Sequence, residues 1–371
     1  MNARFWPSLQ LTAHVRIALG ILQNIEFTEV LSDFRFENVV RKLQNVHENL
    51  SSLSLPGVMK KRTVCIVGAL VKETKKWYNC HKIFFLGENL DFWNRIRWHS
   101  HGTINRYETA RSLVQDENMD IKRRFYLASE YYLEENAQNL WRGMNEECRT
   151  DIISDCCTRI RSLWLEAVLS RNPLDWLQIS DIIQNDHFPV ENRNFILDNP
   201  LGFLRVYRRM PTPSARYKSL LHAISSRKLH QYDLYVCLFE MEDHELETFF
   251  NRFSTNMRVI VLKTFLHWPF QKLFLIVLER FRSQLWNISY LDLFKFILLF
   301  RFETEWLDYD YVALVKEMWA HIPSNVQSEL KPDAIFPYLN HILENDGQEC
   351  ISIDFIRQYR RDREYKYLNF W

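Results

Sequence analysis

Cysteine and histidine side chains that could bind a metal ion occur at two places close together in the chain, Cys80-His81 and His99-Ser100-His101. Thiolate and imidazole groups are ligands that Zn²⁺ accepts in a tetrahedral arrangement. Structural zinc sites, however, use closely spaced ligand pairs such as C-x-x-C. Neither Cys80-His81 nor His99-Ser100-His101 has that spacing. We therefore predict no metal site here.

Sequence motifs of familiar enzymes do not occur in the chain. It contains no G-x-S-x-G, no H-E-x-x-H and neither of the glycine-rich nucleotide motifs. We predict a protein without catalytic activity and without a cofactor. An enzyme with an unfamiliar arrangement is an alternative, and a deep pocket with converging titratable residues would indicate it.

A strongly basic segment is the most informative electrostatic feature. Between Leu201 and Gln231 there is no Asp or Glu, and directly afterwards FEMEDHELE supplies five acidic residues within nine. The seven basic residues of the segment are Arg205, Arg208, Arg209, Arg216, Lys218, Arg227 and Lys228.

Two interpretations of this segment are open. Its charges could pair with the acidic segment, here Glu240 to Glu247, if the two pack as consecutive helical hairpins. Alternatively the basic residues form a surface for an acidic or phosphorylated protein or for a nucleic-acid backbone, with Tyr207 and Tyr217 available for stacking. Thr212 then lies in an exposed loop at the centre of that surface, as a possible phosphorylation site.

The overall composition predicts a soluble, folded, largely helical protein. Hydrophobic residues make up 47% of the 371 residues, enough for a large core, whereas the chain has only eight glycines. Such scarcity argues against an all-β protein, since tight β-turns rely on glycine. The net charge is +1, so no global field attracts nucleic acid or membranes. Seven cysteines without a disulfide framework indicate an intracellular protein, and no apolar run is long enough to span a membrane.

Amphipathic helices with short connections follow one another along most of the chain. In the segment 150–172, apolar residues recur with a helical period, Thr150 could cap the start, and Asn172-Pro173 predicts the end. Further helices are predicted from Ser180, Ser214, Tyr232, Asp243, Met257 and Pro269. Short loops between such helices favour antiparallel hairpins.

Three segments begin RRFYLASEYYLEEN, QYDLYVCLFEMED and VIVLKTFLHWPFQ, and in each a second helix brings an aromatic residue into the core after a break in the first. The pairs of reference position and core position, twelve residues apart, are Ala128 and Leu140-Trp141, Cys237 and Phe249-Phe250, and Leu262 and Phe274. With ETARSLVQDEN they make residues 98–280 resemble α-helical repeat proteins of divergent ankyrin-like or HEAT-like character. The T-P-L-H-x-A turn of ankyrin repeats is missing. The resemblance implies stacked helical hairpins, an α-solenoid, and implies no activity.

The first hundred residues differ from the rest. KRTVCIVGALV and HKIFFLG could be two short strands, although a helix fits TVCIVGALVKETKKWY almost as well. We predict an N-terminal region at residues 1–101 and a helical-hairpin domain at residues 102–371. The predicted function is a non-catalytic intracellular scaffold or adaptor for a protein partner, with nucleic-acid binding through the basic segment as the alternative.

Overall fold

The computed structural model describes residues 5–24, 56–85, 93–155, 159–184, 201–225, 229–302 and 308–345. These residues form two compact units. The central unit contains the described residues between Glu73 and Glu240, and the terminal unit contains those up to Lys72 and from Met241 onward. The boundary predicted near His101 falls inside the central unit, and a separate domain at residues 1–101 stays a prediction.

Eighteen α-helices and no β-strand occur among the described residues, so the predicted mainly α-helical class is confirmed. The helices before Phe203 are α1 Leu9–Asn24, α2 Gly57–His81, α3 Arg106–Val114, α4 Ile121–Glu130, α5 Glu134–Gly143, α6 Glu146–Ser154, α7 Arg159–Ser170 and α8 Trp176–Gln184. The later helices are α9 Phe203–Arg209, α10 Pro213–Ser225, α11 Gln231–Glu240, α12 Asp243–Arg252, α13 Thr255–Thr264, α14 Gln271–Arg280, α15 Asn287–Phe296, α16 Tyr311–His321, α17 Ser324–Leu330 and α18 Phe336–Glu344. Among these helices, none combines the length and the hydropathy that a membrane-spanning helix requires.

Side-chain caps fix the starts of many of these helices. The side chains of Asn105, Asp120, Asn145, Ser254 and Asp310 each accept a hydrogen bond from the backbone N–H three residues later. Such caps satisfy donors that have no partner inside the helix and stabilise each helix by about 1 kcal/mol. Local sequence therefore determines where these helices begin.

Helix α2 occupies the segment for which the sequence left strand and helix open. Every residue from Thr63 to Val71 is buried. A helix that is buried on all sides has no polar face, so its sequence lacks the periodicity that separates helices from buried strands. The strand interpretation of KRTVCIVGALV is not confirmed, and an isolated antiparallel bridge between Trp98 and Ile104 is the β pairing found among the described residues.

The segment 150–172 is not one helix. Helix α6 begins after its cap Asn145, so Thr150 lies inside it and donates its hydroxyl hydrogen to the carbonyl of Glu146. The carbonyl of Asp155, where α6 ends, accepts a hydrogen bond of 3.0 Å from the guanidinium of Arg161. Helix α6 ends at Ser154 and α7 begins at Arg159, and the positions between Asp155 and Arg159 lie outside the described residues.

Helices α4 and α5 form a tight hairpin in the central unit, connected by Tyr131 to Leu133. Tyr132 has a φ of 53°, which is uncommon for a residue other than glycine, and its side chain is buried. Gly202, just before α9, lies against this turn: an added Cβ would be 2.6 Å from the ring of Tyr132 and in hard contact with the carbonyl oxygen of Glu130. The hairpin and α9 are therefore packed too closely for any side chain at position 202.

Candidate functional site

The predicted basic residues are carried by two helices of the central unit. Arg205, Arg208 and Arg209 lie on α9, and Arg216 and Lys218 lie half-buried on α10, which packs against α9. Arg227 and Lys228 are outside the described residues. The structure thus brings five of the seven predicted residues onto neighbouring helices.

Arg208 is paired with the first residue of the acidic segment. Its guanidinium donates to both carboxylate oxygens of Glu240, with Nε 3.0 and 3.3 Å from them and a terminal nitrogen 2.6 Å from Oε1. The hydrogen bond to Glu240 raises the pKa of Arg208. Asp243, further along the acidic segment, pairs with Arg280 within the terminal unit at 2.8 Å. The charge-pairing interpretation therefore applies to Arg208.

Arg205 and Arg209 contact aromatic rings. The Arg205 guanidinium donates to the hydroxyl of Tyr107 at 3.1 Å and lies 5.7 Å from the centre of its ring. The guanidinium of Arg209, which is exposed, lies 5.7 Å from the centre of the Trp176 ring. Both are cation–π distances, and such contacts hold a guanidinium in place without neutralising its charge.

The aromatic residues expected to stack on nucleic-acid bases are not both available. Tyr207 is buried, and its hydroxyl donates to the carbonyl oxygen of Cys237 at 3.3 Å. Tyr217 is half-buried on α10. Thr212 is exposed as predicted, but its hydroxyl oxygen accepts a hydrogen bond of 3.1 Å from the N–H of Ala215 and so caps α10.

The cysteine and histidine residues near positions 80 and 100 are used in packing. His81 is buried, donates from Nδ1 to the carbonyl of Trp77 at 2.6 Å and accepts at Nε2 from the Tyr131 hydroxyl at 2.7 Å. The rings of His99 and His101 stack on each other at 5.2 Å. Burial is the main reason why the pKa values of His81 and His101 both fall to about 3. The described residues hold no group of three or more possible metal ligands.

A buried charge network that the sequence did not reveal lies in the central unit. The Nε2 atom of His230 is 3.0 Å from Oε2 of Glu73, and the backbone N–H of Ile104 donates to Oε1 of Glu73 at 3.2 Å. Arg106 and Asp233 are buried beside them and interact with this pair electrostatically. Glu73 and His230 are 157 positions apart, so no local motif connects them.

The protonation states in this network follow from burial and neighbouring charges. Burial alone would raise the pKa of Glu73, but the charge and hydrogen bond of His230, with Arg106, lower it to about 2. Burial, together with the charge of Arg106, lowers the pKa of His230 to about 4. At neutral pH a neutral imidazole therefore donates from Nε2 to the Glu73 carboxylate, while Nδ1 accepts the N–H of Tyr232 at 3.3 Å.

This network has the group types of an acid–base site, yet substrates cannot reach it in this conformation. The side chains of Glu73 and His230 are 4% and 3% exposed. Buried ionised groups that are hydrogen-bonded on each side commonly serve to fix a structure. Asp233, whose pKa burial raises to about 6, is enclosed in the same way.

An open cavity of about 230 Å³ lies in the terminal unit. Its wall is formed by residues before α1, by α1 and α2, by the segment before α14 and α14 itself, and by Tyr309 before α16. The residues that line it are Phe5, Trp6, Ser8, Gln10, Leu11, His14, Val58, Met59, Arg62, Trp268, Pro269, Gln271, Lys272 and Tyr309. This set contains aromatic rings and cationic groups but no carboxylate.

Comparison with known proteins adds no assignment to these sites. No protein-family model, curated protein or solved structure matches the chain.

Proposed function

We propose that this chain is a non-catalytic intracellular scaffold or adaptor that binds an acidic or phosphorylated protein partner. The scaffold is a series of stacked helical hairpins. Contacts between consecutive helices, such as α4 with α5 and α13 with α14, support this arrangement. Contacts between helices two places apart, such as α5 with α7 and α13 with α15, also support it, since each hairpin of a repeat array packs on the next.

One observation carries the proposal: Arg209 lies over the Trp176 ring beside an exposed leucine. Leu177, the next residue after Trp176, is 69% exposed. Arginine and tryptophan provide much of the binding energy in protein interfaces, and exposed apolar residues near them supply the area to be buried. Because Arg209 has no carboxylate partner among the described residues, an acidic segment of the partner can pair with it.

The contacts of the basic segment favour a protein partner over nucleic acid. Arg208 is already matched by Glu240, and Tyr207 is buried, so fewer charges and rings are available for a phosphate backbone and its bases. The free thiols of Cys65 and Cys237, both buried, support an intracellular location, where thiols stay reduced.

The test uses a photo-crosslinking residue, benzoylphenylalanine, in place of Leu177 in the purified full-length chain. After irradiation in nuclease-treated cell extract, we expect one protein adduct that Arg209→Glu abolishes and Arg142→Glu leaves unchanged. Arg142 is an exposed arginine on α5 and serves as the matched control. A synthetic peptide from the adduct should bind the unmodified chain, and its acidic residues should be required.

The proposal fails if position 177 gives the same adducts as position 276, an exposed isoleucine of the terminal unit, or if Arg209→Glu changes nothing. Nuclease-sensitive RNA or DNA adducts would instead support the nucleic-acid alternative.

A further inference from the structure

The cavity of the terminal unit carries an excess of positive charge. Arg62 from α2 and Lys272 from α14 line it, and within the described part of the chain neither side chain forms an ion pair or a hydrogen bond. The residue directly before the lining residue Tyr309 is Asp308. Its carboxylate already pairs with Arg301 at 2.9 Å and accepts a hydrogen bond from Gln271 at 3.0 Å. Among the described residues, the cationic groups of the cavity therefore have no carboxylate partner, and an anion from outside can bind them.

Aromatic rings form the apolar part of the same cavity. Trp268, from the segment before α14, is largely buried, while Trp6, at the opening, is 72% exposed. Val58, also at the opening, is 84% exposed. Exposed apolar side chains that border a cavity are available to contact a ligand. An aromatic ligand in the cavity would bury apolar surface of these side chains.

Two polar atoms of the lining residues have no hydrogen-bond partner in the described part of the chain. The Nε1 of Trp268 and the Nε2 of His14 are buried without a hydrogen bond. The Nδ1 of His14 lies 2.9 Å from the Thr63 hydroxyl, which itself donates to the carbonyl of Met59. Nδ1 is therefore the donor and Nε2 is left unused. Buried polar groups are nearly always bonded. An anionic ligand can accept a hydrogen bond from Nε1 of Trp268, whereas Nε2 of His14 only accepts and needs a hydroxyl of the ligand, such as that of a phosphate monoanion.

We infer that this cavity binds a small aromatic anion, a single ring that carries a carboxylate or a phosphate. Arg62 and Lys272 contact the anionic group, and the tryptophan rings contact the aromatic body. A volume of about 230 Å³ suits one substituted ring. The inference is independent of the proposed scaffold function, since Arg209, Trp176 and Leu177 belong to the central unit.

Isothermal titration calorimetry with the full-length chain tests this inference with four probes: phenyl phosphate, benzoate, benzyl alcohol and inorganic phosphate. We expect the two aromatic anions to bind with a Kd below about 1 mM, and at least tenfold more tightly than the neutral ring or the free anion. A short phosphotyrosine peptide distinguishes two sources of the ligand, the side chain of a protein partner and a free small molecule. Tighter binding of the peptide than of phenyl phosphate supports a partner's side chain as the source, and weaker binding supports a free small molecule.

Charge reversal provides the matched variants. Arg62→Glu and Lys272→Glu should each weaken phenyl phosphate binding about tenfold or more, whereas Lys331→Glu, an exposed lysine outside the cavity, should have no effect. Unfolding curves show whether each variant is folded, and Arg62→Gln provides a milder change. Binding of benzyl alcohol as tight as that of phenyl phosphate would overturn the inference, as would no binding of either aromatic anion at several millimolar, or equal binding by all charge variants.

Discussion

Glu73 and His230 form a buried hydrogen bond of 3.0 Å between a carboxylate and a neutral imidazole, across 157 positions of sequence. The bond joins helix α2 to the residue just before α11, inside the central unit. Its two groups have pKa values of about 2 and about 4, far below those of the free side chains. Such a contact makes stability depend on pH and on the charges around it.

The pH dependence of unfolding should reveal the depressed pKa of His230. An unfolded histidine titrates near pH 6.5, so between pH 6.5 and about 4 the unfolded chain binds a proton that the folded chain does not. The stabilisation is therefore complete above pH 6.5 and is lost as the pH falls through 4. Asp233, with its pKa raised to about 6, acts in the opposite direction, since its contribution is lost as the pH rises through 6.

Replacing His230 with Gln isolates this contribution, because the amide can still donate to Glu73. Chemical unfolding at several pH values should show a slope of free energy against pH that is smaller in His230→Gln by up to about 1.4 kcal/mol per pH unit between pH 4 and 6.5. Identical slopes in the two proteins would contradict the assignment of a neutral, buried His230.

Arg106 should be essential for the same network. It is buried next to Asp233 and Glu73, and Arg106→Met would leave the Glu73 carboxylate without its nearby cation. We expect a loss of about 3–5 kcal/mol in the free energy of unfolding. Arg111→Met is the control, since Arg111 pairs with Glu108 on the surface and should cost less than about 1 kcal/mol. Equal effects of the two substitutions would show that the Glu73 carboxylate does not depend on Arg106 for its stabilisation.

Gly202 should not tolerate a side chain. Gly202→Ala would push a Cβ against the carbonyl of Glu130 and the ring of Tyr132, and we expect a loss of about 1–3 kcal/mol. Gly68→Ala is the matched control: nothing lies within 4 Å of an added Cβ there, and the residue is inside helix α2. The control should gain up to about 1 kcal/mol from helix propensity. Thermal unfolding of the two variants compares them directly, and a stable Gly202→Ala would mean that α9 can move away from the hairpin.

The pair Arg208 and Glu240 should contribute little to stability, despite its good geometry. The two side chains are 55% and 35% exposed, and exposed ion pairs are worth about 0.2–1 kcal/mol. A double-mutant cycle with Arg208→Ala and Glu240→Ala, measured by urea unfolding at low and high salt, should give a coupling energy in this range that decreases with salt. A coupling above about 2 kcal/mol would show that the pair is a structural element of the central unit.

Helix positions were largely predictable from the sequence because the interactions that set them are local. The expected helices from Ser214, Tyr232, Asp243, Met257 and Pro269 correspond to α10 to α14, within a few residues at their ends. Their apolar residues recur with a helical period, and caps such as Ser254 lie next to the turns that they stabilise. The predicted basic residues of α9 and α10 were found on neighbouring helices for the same reason.

Burial and contacts between distant residues determined the features that the sequence did not predict. The nature of α2 could not be read from its sequence, because its middle, from Thr63 to Val71, is buried on all sides and has no polar face to mark the helical period. The pairing of Glu73 with His230 and the meeting of Trp6, Arg62 and Lys272 around one cavity also left no local pattern. Sequence periodicity reports only which face of one element is apolar. Which distant side chains then share a site depends on how the helices pack within each unit, and the tertiary structure alone determines that.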